Sequence, residues 1–137
     1  MNTIIVGYDA TEPSKRALER GAQFAKTFSA KLIVTSVAPV TTPAGGRSLG
    51  TDPSDTPSEH QAELHTAHEY LAKEGLEAQY VEAVGHPAES IVAAAVDHSA
   101  DLIIVGTREL GFVQRMFGAS VSDSVAHRAQ CDVMIVH

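Results

Sequence analysis

The 137-residue sequence contains a single cysteine, Cys131, so no disulfide forms within the chain, and this sparing use fits a reducing compartment. Its plain reading is a small buried residue beside the last strand. Cations are also scarce: ten Lys and Arg stand against seventeen Asp and Glu, a net charge of −7. Nucleic acids and anionic membranes call for a basic face, so neither is an expected partner. No apolar run approaches the roughly 18 residues of a membrane helix. The first residues, Met1 to Gly7, lack the basic start and cleavage site of a secretory signal. They read as the first strand of a cytoplasmic protein.

Several chemical signatures are missing as well. The chain has no Gly-x-x-x-x-Gly-Lys-Ser/Thr loop, and no Gly-x-Gly-x-x-Gly follows its first strand. A phosphate-accepting receiver domain needs clustered acids after the first strand and an acceptor aspartate after the third. Here only Asp9 and then Val84-Gly85 are available. No Ser/His/Asp or Cys/His set has spacing specific enough to nominate a catalyst, so no turnover is expected. His60, His65 and His68 fall on one helical stretch, which permits metal binding. No third ligand is fixed, however, and the glutamate of a zinc protease motif is missing, so a solvated helix face is the simpler reading.

What is present alternates in type along the chain. Thr3–Tyr8, Lys31–Val37, Asp101–Val105 and Val133–Val136 are short, apolar and β-branched, as strands buried on both faces are. Gln79–Val84, closed by Gly85, is a weaker strand. Between them lie helical spacings. Pro13 follows Thr11, with Ala17, Leu18, Gly21, Ala22, Phe24, Ala25 and Phe28 on one face. A stretch from about Ser58 to Glu74 has Leu64, Ala67 and Leu71 as its stripe. Pro87 opens a third with Ala88, Ile91, Val92, Ala95 and Val96, and the last runs from about Ala119 to Ala129 with Val121, Val125 and Ala129. Alternating strand and helix predicts a parallel sheet with helices on both faces. Pro39 to Pro57 has no periodicity and is rich in Pro, Gly, Ser and Thr, which predicts a long connection or a lid. The length suits one domain over residues 1–137.

In such sheets ligands sit at the carboxyl ends of the strands where the winding reverses. If the first and fourth strands are neighbours, Tyr8-Asp9 and Gly106-Thr107 face that crevice. Asp9 is placed to accept from a ribose or an adenine amino group; its alternative role is to cap the following helix, although Thr11 is better placed for that. Gly106 ends a buried strand and admits close approach to the backbone. Ser120 and Ser122 flank the start of the last helix, where hydroxyls and free amides either hold phosphate or simply cap.

Val6-Gly7-Tyr8-Asp9-Ala10-Thr11-Glu12-Pro13, Gly85-His86-Pro87-Ala88-Glu89-Ser90 and Ala100-Asp101-Leu102-Ile103-Ile104-Val105-Gly106-Thr107-Arg108 together resemble the universal stress protein family, over the whole chain. The resemblance implies a five-stranded parallel sheet in the order 3-2-1-4-5, of the Rossmann-like adenine nucleotide alpha hydrolase type. It implies a homodimer joined through the last strand, Asp132 to His137. In many members it also implies ATP or another adenine nucleotide as a regulatory ligand. Nucleotide-binding members carry glycine, two residues, glycine, nine residues, glycine, then Ser or Thr. Gly106 and Ser120 match, but Glu109 and Ala119 stand at the second and third glycines, with Gly111 and Gly118 out of register. Ala119 adds one methyl and keeps its amide. Glu109 repels a triphosphate wherever water does not screen the pair, and Arg108 and Arg115 are placed to offset that charge. The expectation is that AMP or cyclic AMP is tolerated relative to ATP. Val37 resembles the position that packs on adenine, core filling being its other reading, and Val121 joins Ser120 and Ser122 at the phosphate. A dimeric interaction module that binds no nucleotide is the alternative. The dimer has a physical argument of its own, since an apolar outermost strand invites pairing with a partner strand.

Overall fold

A computed structural model describes residues 1–39, 55–107 and 121–137, with side chains for 1–36, 62–82, 86–107 and 121–137. The elements run β1 (Thr3–Tyr8), α1 (Glu12–Phe28), β2 (Lys31–Pro39), α2 (Asp55–Lys73), β3 (Ala78–Gly85), α3 (Pro87–Asp97), β4 (Leu102–Gly106), α4 (Val121–Arg128) and β5 (Asp132–Val136). All strand pairings are parallel, in the order β3-β2-β1-β4-β5. The expected sheet is therefore present, with β1 and β4 as neighbours.

Strand alternation sends side chains to two apolar layers. Ile4, Val6, Tyr8, Leu32, Val34, Leu102 and Ile104 meet Ala17, Leu18 and Ala22 of α1 and Leu64, Ala67 and Leu71 of α2. Ile5, Ile33, Ile103 and Val105 meet Ala88, Ile91 and Ala95 of α3 and Val125 of α4. Helices thus cover both faces. Gly21 lets α1 sit directly on β1, because a Cβ there would lie 2.6 Å from Cγ2 of Val6.

Three expectations need correction. Phe28 is 50% exposed, because it is the last residue of α1. Its ring stands edge-on to that of Phe24, with centroids 6.0 Å apart, while Ala25 in the same turn stays in the core. Val96 is 56% exposed; it follows Ala95 by about 100° round α3 and so leaves the buried face. The aperiodic segment is shorter than Pro39 to Pro57 at both ends. Pro39 is the last residue of β2, in register with Gly85, and residues 55–57 open α2, where a proline lacks no needed donor. The rest of that segment, including any lid, lies outside the described residues.

The amino-terminal rim of the sheet is held by one carboxylate. Oδ2 of Asp101 accepts from the amides of Asn2 (2.7 Å) and Thr3 (2.9 Å), and the Asp101 amide donates to the Thr3 carbonyl at 2.8 Å. Those two amide donors hold the Asp101 carboxyl below the ordinary value. At the far side, β4 is the only described strand beside β5, whose Val133, Met134 and Ile135 remain half-exposed.

Candidate functional site

The observed strand order puts the reversal of winding between β1 and β4, and their carboxyl ends define the crevice. The chain leaves β1 through a tightly bonded turn. Thr11 caps α1 as expected, its Oγ1 accepting from the Ser14 amide at 3.4 Å. Asp9 holds that cap in place, because its Oδ1 accepts from the Thr11 amide at 3.0 Å and from the Thr11 hydroxyl. The Asp9 amide donates to Oγ of Ser14, and that hydroxyl donates to the Thr11 carbonyl. Ala10, between them, has φ 64°, a left-handed conformation uncommon for a residue with a Cβ. The turn fixes where Asp9 points: the residue is exposed, and its Oδ2 carries no protein partner among the described residues.

β4 ends against the same turn. A Cβ on Gly106 would stand 2.4 Å from the carbonyl carbon of Pro13 and 2.6 Å from its oxygen. The glycine therefore has a structural reason, which is to bring the end of β4 onto the first turn of α1. Thr107 then donates its amide to the Val136 carbonyl at 2.7 Å, which ties the strand end to β5.

At the start of α4, Val121 is half-buried against the α3 layer and Ser122 is buried. Both belong to the first described turn of α4. Arg128 of α4 pairs with Glu89 of α3 at 2.9 Å. Of the remaining sequence-predicted positions, Val37 has a described backbone, in register with Ala83, while its side chain lies outside the described residues. Arg108, Glu109 and Ser120 lie wholly outside them.

Three residues that sequence reasoning passed over, Ser36, Glu63 and Thr66, stand with Tyr8 just behind the crevice. Tyr8, the last residue of β1, and Ser36 of β2 are register partners, 4% and 0% exposed. The Tyr8 hydroxyl lies 2.9 Å from Oγ1 of Thr66, and Oγ of Ser36 donates to Oε1 of Glu63 at 3.0 Å. The available signal was a hydroxyl-bearing residue in each otherwise apolar strand.

Two concavities among the described residues lie elsewhere. One of about 580 Å³ beside β3 is lined by His68, Leu76 and Tyr80 among others, and one of about 230 Å³ by Val92, Val96 and Cys131 among others. Neither contains Asp9, Gly106, Val121 or Ser122, and neither gathers convergent charged donors. The strand-end crevice, with its polar turn, is the better candidate. Cys131 is half-buried. Burial, then the nearby carboxylates of Asp132 and Asp101, push its thiol up, away from the reactive thiolate. Among the described residues no three of His, Cys, Asp and Glu come together as a metal site. His65 instead lies 2.9 Å from Glu69, and His68 stands edge-on to Tyr80. No described helix is long and apolar enough to cross a membrane.

An open parallel sheet with a polar crevice at its switch point defines a Rossmann-like α/β protein. The model of the universal stress protein family matches residues 1–137, and the chain belongs to that family. Universal stress protein Rv1636 of Mycobacterium tuberculosis is 32% identical, over 98% of this chain and 95% of its own length. A solved universal stress protein in complex with cAMP is 30% identical, with a TM-score of 0.74, covering 99% of this chain and 96% of that one. A family member from Arabidopsis thaliana with AMP bound shares the fold at 17% identity, with a TM-score of 0.72 over 99% of this chain and 91% of that one.

Proposed function

We propose that this protein is a single-domain, cytoplasmic, homodimeric universal stress protein that binds an adenine nucleotide as a regulatory ligand, without turnover. Asp9 would receive the ribose or base with its uncommitted carboxylate oxygen, and Val37 would line the adenine. Gly106, at the end of β4, would admit the ligand close to the backbone. Ser120, Val121 and Ser122 would take phosphate at the start of α4, with Arg108 and Glu109 setting how much phosphate charge is accepted. The observation that carries this reading is the exposed Asp9 carboxylate, fixed by Thr11 at the point where the winding reverses. The cAMP and AMP complexes of its relatives support it.

Dimerisation through Asp132 to His137 is supported by the half-exposed Val133, Met134 and Ile135 on an edge strand, a surface that invites a partner strand. The second reading, an interaction module without nucleotide, is favoured by Glu109 and Ala119 at two motif glycine positions. The test is mass spectrometry of gently purified and then denatured protein. ATP, AMP or cyclic AMP in near-stoichiometric amount supports the nucleotide reading. No carried ligand, together with no thermal shift on adding these nucleotides, supports the interaction module.

A further inference from the structure

The first layer of side chains behind the proposed base and ribose positions is a hydrogen-bonded brace from a single turn of α2. Tyr8 and Ser36 face each other across the β1–β2 register. Each immediately precedes a proposed ligand residue, Asp9 just past the end of β1 and Val37 on β2. Both side chains reach the Glu63–Thr66 turn: Ser36 donates to Oε1 of Glu63 at 3.0 Å, and the Tyr8 hydroxyl lies 2.9 Å from Oγ1 of Thr66. The direction of the second bond follows from proton counting. Thr66 spends its one hydroxyl hydrogen on the Glu63 carbonyl at 2.7 Å, so Tyr8 donates and Thr66 accepts.

Two buried residues of adjacent strands are thereby tied to one helical turn through a connected polar chain. Such chains rigidify strongly when satisfied, and a lost partner leaves a buried hydroxyl without one. The ladder spaces β1 from β2 up to the Tyr8–Ser36 pair, and beyond it the side chains of these two residues are both anchored on α2. A base and ribose spanning Asp9 and Val37 would need that spacing to be correct.

We propose that Tyr8, Ser36, Glu63 and Thr66 are positioning residues that hold the base and ribose subsite and couple its occupancy to α2. The inference rests on the nucleotide reading. Thr66 offers the cleanest test, because it is exposed on the helix surface and tolerates substitution without a cavity. AMP and adenosine are titrated calorimetrically into the unmutated protein and into Thr66→Val, Thr66→Ser and Tyr8→Phe, with amide exchange followed over residues 63–66.

Thr66→Val, which keeps the shape and loses the hydroxyl, is expected to weaken AMP about fivefold, the worth of one hydrogen bond. It should weaken adenosine by the same factor, because the loss lies at the base and ribose end. Tyr8→Phe should match it, Thr66→Ser should restore affinity, and AMP should slow exchange over 63–66 in the unmutated protein but not in Thr66→Val. The brace is overturned if Thr66→Val and Tyr8→Phe bind AMP as the unmutated protein does, or if Thr66→Ser behaves like Thr66→Val. An unmutated protein that binds neither AMP nor adenosine overturns the nucleotide reading itself, a result visible before any variant is measured.

Discussion

Gly106 lies so close to Pro13 that the missing Cβ is a condition of the fold: built in place, it would stand 2.4 Å from the Pro13 carbonyl carbon. The obstacle is backbone, which cannot rotate away as a side chain could. The residue that ends β4 and the second residue of α1 are therefore packed at a distance only glycine permits. Gly106→Ala is expected to destabilise the protein by about 1–3 kcal/mol, as overpacking does, and to weaken nucleotide binding beyond that. Urea unfolding would check the first part; an unchanged midpoint would mean that the α1 start yields freely.

Asp101 gives a pH-dependent expectation. Its folded carboxyl is held below the ordinary value of 3.8, chiefly by the Asn2 amide and then the Thr3 amide. A depressed carboxyl contributes stability that is present above its ordinary value and is lost as pH falls through the folded one. Asp101→Asn should therefore melt lower than the unmutated protein at pH 7, and the gap should close as the pH falls below about 4. A gap that stays constant from pH 7 to pH 3 would show that the carboxylate charge plays no part.

Thr35 is fully buried in β2, and its hydroxyl has no hydrogen-bond partner among the described residues. It carries the desolvation cost of a polar group without the return of a bond. Thr35→Val keeps the branched shape and is expected to stabilise the fold by about 1 kcal/mol. Thermal unfolding of the two proteins decides the matter, and a fall in melting temperature would reveal that the hydroxyl is satisfied in solution.

The elements were legible in the sequence because their signals are local. Thr11 and Pro13 announce the start of α1 through capping geometry, and the β-branched runs at Ile4–Val6 and Leu102–Val105 announce buried strands. Phe28 and Val96 were misread because periodicity marks a face without saying where along the helix, or how far round it, burial ends. At the crevice, Asp9 was legible from its position after an apolar strand. The brace was not, since Tyr8 meets Thr66 across 58 residues and Ser36 meets Glu63 across 27. Only the packing of α2 on the sheet brings those atoms together. Gly106 was legible as a glycine that matters, but its neighbour Pro13 is remote in sequence and supplies the cause.

The half-exposed Val133 and Ile135 of β5 pack beside the α3 and α4 layer, so charge placed there should block an edge while sparing the sheet. Lysine is suited to this, because its stem can lie on apolar surface with the ammonium in water. Under the proposed pairing through β5, Val133→Lys and Ile135→Lys combined are expected to sediment as a monomer where the unmutated protein sediments as a dimer, with the circular dichroism of the fold retained. A variant that still sediments as a dimer would move the interface away from β5.

Glu109 offers the sharpest test of ligand choice. Under the proposed nucleotide reading it occupies the position of a glycine in the family motif, and its charge would bear on the number of phosphates accepted. Two unit charges about 4 Å apart in a water-like medium interact by about 1 kcal/mol, or about fivefold in affinity. Glu109→Gly should therefore raise ATP affinity about fivefold or more. AMP should gain less, because it brings less phosphate charge to the site. The gain should shrink with added salt as the charges are screened. Competition titrations of ATP against AMP at low and high salt read all three expectations. Equal gains for both nucleotides would assign the effect to backbone freedom at position 109 rather than to its charge.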